Sequence, residues 1–222
     1  MTFHWLAHAS FLIEGHGMRI LTDPYTPELM GFRPITAQVD LVIRSSRDDA
    51  GHCCAERLPG APHVVTATDL VAGPLHVKGI RITAVAVRES VAHKREPLDS
   101  AMYRFHLEGL DVVHMGDVGN ALSASQLDAL RGADVLLAPA GGAPTIDLDD
   151  LYAVIEEVAP GWVIPMHYHL PGCAFSMLPV EAFLKYFDPA QIQILATSTI
   201  ELDAGQRADR PGLIVLQAAN LS

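Results

Sequence analysis

The chain has 222 residues, half of them hydrophobic and 18% charged, and its 26 acidic and 15 basic side chains leave a formal net charge of −11. This composition can bury a sizeable core, which excludes intrinsic disorder, and its negative charge disfavours nucleic acid and anionic membrane surfaces as partners. The chain has three cysteines, too few for a disulfide framework, and no signal-peptide pattern. It also lacks an apolar run of the ~18 residues that a membrane span needs. These features predict a cytoplasmic protein.

Short runs of β-prone residues dominate the first half of the chain. A Gly15-His16-Gly17 turn joins the second run to the third, and Glu108-Gly109 joins the last two runs in a hairpin. A proline-rich loop spans residues 24–34, and small polar residues predict another loop over 45–60. The predicted strands are Phe3–Leu6, Ser10–Glu14, Met18–Thr22, Leu41–Arg44, His63–Ala67, Leu75–Lys78, Ile80–Val87, Met102–Leu107 and Leu110–His114.

Strands and helices alternate in the second half. Ser123, with Gln126 three residues later, is typical of a capping box and starts a helix that ends near Gly132. The other predicted elements are helices over Asp147–Val158 and Pro179–Phe187 and strands over Val135–Ala138, Trp162–Met166, Ile192–Leu195, Thr199–Leu202 and Leu213–Leu216. No linker divides the chain. We therefore expect one domain over residues 1–222 with an α/β fold, in which two sheets are covered by helices in a four-layer sandwich.

Residues that can carry chemistry follow three of the predicted strands. His167 comes directly after a buried strand, Asp117 stands between two glycines after another, and Asp23 follows a third. Side chains at the carboxyl ends of strands project into the crevice where ligands bind, although an ordinary turn also explains the two aspartates. Imidazole, carboxylate and thiol donors gather in the 45–60 loop as well, at Asp48, Asp49, His52, Cys53 and Cys54. Their spacing matches no standard metal motif, so a solvated loop stays open as the alternative.

Five stretches of the chain carry a family resemblance, namely His4–Glu14, Ile20–Pro24, Val112–Gly119, Asp134–Asp147 and Val163–Tyr168. In this order they resemble the metallo-β-lactamase-fold superfamily, in the branch of bacterial metal-dependent hydrolases related to the ascorbate-6-phosphate lactonases. The resemblance implies an αββα sandwich with a site for one or two metals, usually zinc, at one edge of the sheets. It also implies that Asp117 is the bridging aspartate of that site and His167 its final histidine.

The family's first metal-binding motif, H-x-H-x-D-H, is degenerate in this chain. In an alignment without gaps, Ser45 and Arg47 replace the two leading histidines, Asp49 keeps the aspartate and Ala50 replaces the last histidine. A permanently charged guanidinium beside a divalent cation is strongly unfavourable, so no metal is expected at the first position. We expect Arg47 to substitute for the missing ion through a salt bridge to Asp117.

The second metal position keeps three ligands in this alignment, Asp49, Asp117 and His167. Glu89 stands about where the family has a lone histidine and is a further candidate ligand, with His93 a few residues later. Two carboxylates and an imidazole suit one divalent zinc, manganese or iron ion, and a site without any metal is equally compatible with the sequence. The candidates for proton transfer or for supporting a ligand are His8, Asp23, His114 and His169.

Three functions remain open. The favoured one is a protein that has lost most first-position ligands, is non-catalytic or altered in activity, and binds a small anion or a partner. The second is a mononuclear metal-dependent hydrolase of a small ester, lactone or phosphoester that uses Asp49, Asp117 and His167. The third rebuilds the ligation with His52, Cys53 or Cys54. A disulfide between adjacent cysteines is strained, so we expect reduced thiols.

Overall fold

A computed structural model describes residues 1–47, 49–89, 99–206 and 212–221 of the chain. Within these ranges, two sheets of six and eight strands contain all fourteen strands, and four α-helices accompany them. The strands are β1 (Thr2–Ala7), β2 (Ser10–Gly15), β3 (Met18–Thr22), β4 (Leu41–Arg44), β5 (His63–Thr66), β6 (Leu75–Val77), β7 (Ile80–Val87), β8 (Ser100–Leu107), β9 (Leu110–His114), β10 (Val135–Pro139), β11 (Trp162–Met166), β12 (Ile192–Ile194), β13 (Thr199–Glu201) and β14 (Gly212–Val215). The helices are α1 (Pro27–Met30), α2 (Ala124–Leu130), α3 (Leu148–Val158) and α4 (Val180–Leu184).

Each sheet contains a parallel group of strands whose carboxyl ends share one edge. The six-stranded sheet has the order β13-β1-β2-β3-β4-β5, and β3, β4 and β5 are parallel neighbours. The eight-stranded sheet has the order β12-β14-β11-β10-β9-β8-β7-β6, in which β9, β10 and β11 run parallel. Parallel strands end on the same side of a sheet. The loops that follow β3 and β4 therefore leave the first sheet at one edge. The loops that follow β9 and β11 likewise leave the second sheet at one edge.

The pattern of burial along the strands shows which of their faces are covered. Side chains of β1 alternate between buried and half-buried positions, as in a strand with one face on the core. Every residue of β10 and of β11 is buried, which is typical of parallel strands covered on both faces. Helix α3 contributes an apolar face to the same core, made by Leu151, Val154, Ile155 and Val158.

The predicted two-sheet α/β sandwich is confirmed, and so are most element positions. Ser123 caps α2, and the predicted capping box with Gln126 is present. The proline-rich loop contains a short helix that was not predicted, α1, in which Pro27 occupies the first turn, where its missing N–H costs nothing. The last predicted helix is shorter than expected, because α4 ends at Leu184.

Trp5 ties the core to the end of β1. Its ring is fully buried and packs against Phe11 and Tyr168, with ring centroids 6.3 and 5.1 Å away. Its indole N–H donates to the carbonyl oxygen of His8 at 3.0 Å. A single side chain therefore supports both the core and the turn that carries His8.

We expect Trp5→Ala to lower the free energy of unfolding by about 3–5 kcal/mol, because it leaves a large cavity in a packed core. Trp5→Phe keeps most of the apolar contact and loses only the hydrogen bond, so its effect should be clearly smaller. Urea unfolding followed by circular dichroism measures both. A Trp5→Ala variant as stable as the natural chain would contradict this packing.

Candidate metal centre

Five potential ligands line one cavity of ≈ 300 Å³ at the shared edge of the two sheets. His8 lies in the turn after β1, and His167 directly follows β11. Asp117 lies in the Gly-rich turn after β9, and both Asp49 and His52 come from the loop after β4. Four separate chain segments thus supply these five side chains.

His8 and His167 are fixed to each other through the backbone. The carbonyl oxygen of His8 accepts a hydrogen bond from the backbone N–H of His167 at 3.1 Å, and the two ring centroids are 3.9 Å apart. Both residues have left-handed backbone conformations, with φ of 52° and 51°. Few residues other than glycine adopt this region. The fold therefore accepts backbone strain to hold these two imidazoles side by side.

The ring of His52 is oriented by the fully buried carboxylate of Asp23. Asp23 Oδ2 accepts a hydrogen bond from His52 Nδ1 at 2.8 Å and another from Ser45 Oγ at 2.7 Å. Its Oδ1 accepts from the backbone N–H of Ser45 at 2.7 Å and from the Tyr103 hydroxyl at 3.3 Å. Because Nδ1 of His52 is committed to Asp23, the nitrogen left for a ligand is Nε2.

Asp49 and Asp117 each use one carboxylate oxygen inside the protein and present the other to His52. Asp49 Oδ1 accepts from the backbone N–H of Gly51 at 2.8 Å, and Asp117 Oδ1 accepts from Ser100 Oγ at 3.1 Å. Their Oδ2 atoms lie 3.6 and 3.8 Å from His52 Nε2. The two free oxygens and the free imidazole nitrogen therefore converge.

The pKa shifts of the side chains in the cavity show that it has too little positive charge to balance its carboxylates. Burial and the nearby carboxylates raise the pKa of Asp117 above its usual range. Burial alone would lower the pKa of His52, but the carboxylates around it outweigh burial and raise that pKa. Burial, reinforced by neighbouring histidines, holds the pKa of His8 well below its usual value and lowers that of His167 to about 3. Two neutral imidazoles thus stand beside carboxylates that compete for protons.

These residues fit a divalent cation. Ligand atoms of His8, His52 and His167 lie within 4.8 Å of one another, and so do those of Asp49, His52 and Asp117. Nδ1 of His8 and Nδ1 of His167 are buried without any hydrogen-bond partner. A buried polar atom left unpaired costs ~1–3 kcal/mol. A cation supplies the positive charge that the surplus carboxylates lack.

The structure contradicts the predicted salt bridge between Arg47 and Asp117. The Arg47 side chain is 62% exposed and pairs with Asp69 instead. Ser45 and Ser46 are fully buried, and the chain turns outward after them. A guanidinium keeps its hydration at the surface, and burying it in the cavity would cost that hydration. Arg47 is therefore not part of the cavity.

Two further predicted residues support or border the cavity. Asp23 lies behind His52 and has no free oxygen for a ligand of its own. Glu89 lines the cavity but belongs to neither group of three within the described residues. The alternative to Glu89, His93, lies outside the described residues.

The expectation of proton transfer by His114 is not supported by its contacts. Nε2 of His114 donates to the carbonyl oxygen of Ala9 at 2.8 Å, and Nδ1 accepts from the backbone N–H of Gly116 at 3.0 Å. Its ring stacks on Tyr103, with centroids 4.8 Å apart. Nε2 thus ties β9 to the turn after β1, and Nδ1 supports the turn that follows β9 itself. His169 is exposed and does not line the cavity.

The 45–60 loop supplies an imidazole rather than thiols. His52 belongs to both ligand groups, whereas neither Cys53 nor Cys54 is in a group among the described residues. The Cys54 thiol donates to Glu56 at 3.4 Å, and all three cysteines are free. The gapless alignment missed His52 because this residue lies two positions beyond Ala50. His8 was predicted only as a supporting residue, although it too stands at the end of a strand.

The comparisons with known proteins agree with this geometry. A sequence profile described as "Beta-lactamase superfamily domain" matches residues 2–167. The chain belongs to this family. A UPF0173 metal-dependent hydrolase of Carboxydothermus hydrogenoformans is 28% identical over 196 residues, covering 76% of this chain and 85% of that protein. Another protein of the same description, from Thermococcus onnurineus, is 26% identical over 223 residues, covering 88% and 96%.

A solved structure matches almost the whole fold. It is a protein from Thermotoga maritima proposed to be a Zn-dependent hydrolase of the metallo-beta-lactamase superfamily, with a TM-score of 0.76, 28% identity and 97% coverage of both chains. The predicted metallo-β-lactamase-like fold is confirmed by this match. Relatives of the family occur in archaea as well as in bacteria. In the described part of the chain, none of the helices has the length and apolar character needed to cross a membrane.

We expect Arg47→Ala to change the melting temperature by less than about 2 °C, because an exposed ion pair contributes little to stability. Arg104→Ala is the matched control. Arg104 is only 25% exposed and donates to Asp111 and to the carbonyl oxygen of Arg131, so its loss should lower the melting temperature more. Differential scanning fluorimetry compares the two variants. A drop for Arg47→Ala as large as that for Arg104→Ala would show that Arg47 has a structural role.

Proposed function

We propose that the protein is a hydrolase that depends on one divalent cation held at this centre. The observation that supports the proposal is the convergence of three buried imidazoles and two carboxylates, with two imidazole nitrogens unpaired. The relatives described as metal-dependent hydrolases support the same class of reaction. Loss of activity, the reading that the degenerate motif favoured, stays a prediction and has no support from this arrangement of ligands.

The sharing of His52 argues for one cation rather than two. Both ligand groups include His52. One of its nitrogens is occupied by Asp23, and a single remaining nitrogen lone pair binds one metal ion. The two groups therefore describe one centre, in which His52 is joined by His8, His167, Asp49 and Asp117.

A divalent cation in such a site lowers the pKa of water and polarises the carbonyl or phosphoryl group under attack. The side chains around it hold the geometry. Asp23 keeps the His52 ring in one orientation and one tautomer, and Ser100 fixes the carboxylate of Asp117. Asp49 is held in the same way, because its Oδ1 accepts from the backbone N–H of Gly51 and its Oδ2 is left for the cation.

Metal analysis of protein purified without chelator tests the proposal directly. We expect about one zinc, iron or manganese ion per chain, and less than a tenth of that in His52→Ala, because both ligand groups lose a member. His16→Ala is the control, since the His16 side chain is 72% exposed in a distant turn. Protein that is free of metal, even after incubation with each ion, would overturn the proposal. Two ions per chain would overturn the single centre.

We expect Asp23→Asn to weaken metal binding about 10–100-fold, because an amide cannot accept hydrogen bonds at both positions and releases the His52 ring. Tyr103→Phe leaves the bonds from Ser45 and His52 to Asp23 intact and removes the hydroxyl that lies 3.3 Å from Asp23 Oδ1 and 3.2 Å from the carbonyl oxygen of Ile43, so it should have a smaller effect. Competition with a chromophoric chelator measures both affinities. An unchanged affinity in Asp23→Asn would show that the orientation of His52 does not depend on this carboxylate.

A further inference from the structure

One side of the sandwich is formed by a single stretch of chain, residues 192–201. β12 is the outer strand of the eight-stranded sheet, and β13 is the outer strand of the six-stranded sheet. Residues 195–198 connect them, and the backbone N–H of Trp5 donates to the carbonyl oxygen of Ser198 at 2.8 Å. Among the described residues, each of these two strands therefore has a neighbouring strand on one side only.

The backbone of β12 has hydrogen-bonding groups that its one neighbour does not use. β12 runs parallel to β14, and Ile194 stands opposite Val215. The backbone N–H of Leu195 donates to the carbonyl oxygen of Val215 at 2.9 Å. Because the backbone groups of successive residues point to opposite sides of a strand, the N–H and C=O of Ile192 and Ile194 point away from β14. Only β14 pairs with β12 in the described chain, so these groups are available to a further strand.

The side chains of β12 are apolar or uncharged and reach the surface. Ile194 is 69% exposed, more than any other large hydrophobic residue that the structure describes. Ile192 lies on the same face of the strand and Gln193 on the opposite face. No charged residue occurs from position 189 to position 200. An edge strand with this composition is a template for pairing with another strand.

The other three edge strands have residues that oppose such pairing. Pro62 directly precedes β5, and Pro74 and Lys78 stand directly before and after β6. Glu201, which is exposed, is the last residue of β13. Proline has no N–H to donate and a charged side chain resists desolvation, so both residue types typically protect the edges of sheets. β12 has neither a proline nor a charge within the strand or directly beside it.

We propose that β12 pairs with the same strand of a second copy of this chain, antiparallel across a two-fold axis, so that two eight-stranded sheets become one. A two-fold axis brings each surface against the same surface of the partner. A charged edge would meet its own charge there, whereas β12 brings only isoleucine and glutamine together. This matters because each copy has a formal net charge of −11, which repels the other. Ile194 is covered in this dimer, and its outward backbone groups gain partners.

A matched pair of lysine substitutions tests which edge forms the dimer. Sedimentation velocity of the natural chain should show a dimer within the range of about 1–100 µM. Ile194→Lys should weaken the dimer at least about 30-fold, because it places like charges at the contact. Val64→Lys makes the same change of charge on β5, at a residue that is 41% exposed, and should change the dissociation constant by less than about threefold. A natural chain that stays monomeric over this range, or equal weakening by both variants, would overturn the proposal.

Hydrogen exchange tests the contact in the natural chain without any substitution. The outward N–H groups of Ile192 and Ile194 donate to the partner strand in the dimer, so a peptide covering residues 190–198 should exchange more slowly at high than at low protein concentration. A peptide covering β5 should exchange equally at both concentrations, and the slowing at 190–198 should be lost in Ile194→Lys. A dimer whose 190–198 peptide exchanges at the same rate as that of the monomer would show that another surface forms the contact.

Discussion

The candidate site depends on one buried carboxylate. Asp23 has no exposed surface and accepts four hydrogen bonds from the backbone and hydroxyl of Ser45, the ring of His52 and the hydroxyl of Tyr103. A buried charge is tolerated only when it is paired and hydrogen-bonded in this way. These partners come from the end of β4, the loop after it and β8. The hydrogen bonds to this one side chain thus connect the two sheets at the edge where the cavity lies.

The charge of Asp23 also determines how the cavity balances its other charges. With Asp49 and Asp117 it surrounds His52, whose pKa is raised, while burial keeps His8 and His167 neutral. An imidazole that can hold or give up a proton in this position can exchange its positive charge for that of a cation. A guanidinium cannot, because it stays charged throughout. The position of Arg47 outside the cavity follows from this difference as well as from the cost of burying it.

The sequence was most informative where local patterns decide the structure. Runs of β-prone residues between turns identified nearly all strands, the capping residues identified α2, and the position of Asp117 and His167 at strand ends placed both on the cavity. The family alignment failed in the 45–60 loop, where it put Arg47 inside and passed over His52, although the cluster of donor residues in that loop had indicated His52 as one of several possible ligands. His52 is held by Asp23, 29 residues earlier in the chain, and no nearby residue signals such a contact. The partnership of His8 with His167 is likewise a contact between distant parts of the chain, because β1 and β11 belong to different sheets.

Three residues of the site have a left-handed backbone conformation, which lowers the stability of the folded protein. His8, Asp23 and His167 all have positive φ angles, between 34° and 52°, and each costs the folded state roughly 1–2 kcal/mol relative to a relaxed backbone. Glycine would release this energy at each position and would delete a ligand or the residue that orients one. Selection of variants for heat resistance alone is therefore expected to replace these residues by glycine, which would stabilise the turns and remove side chains of the proposed metal centre.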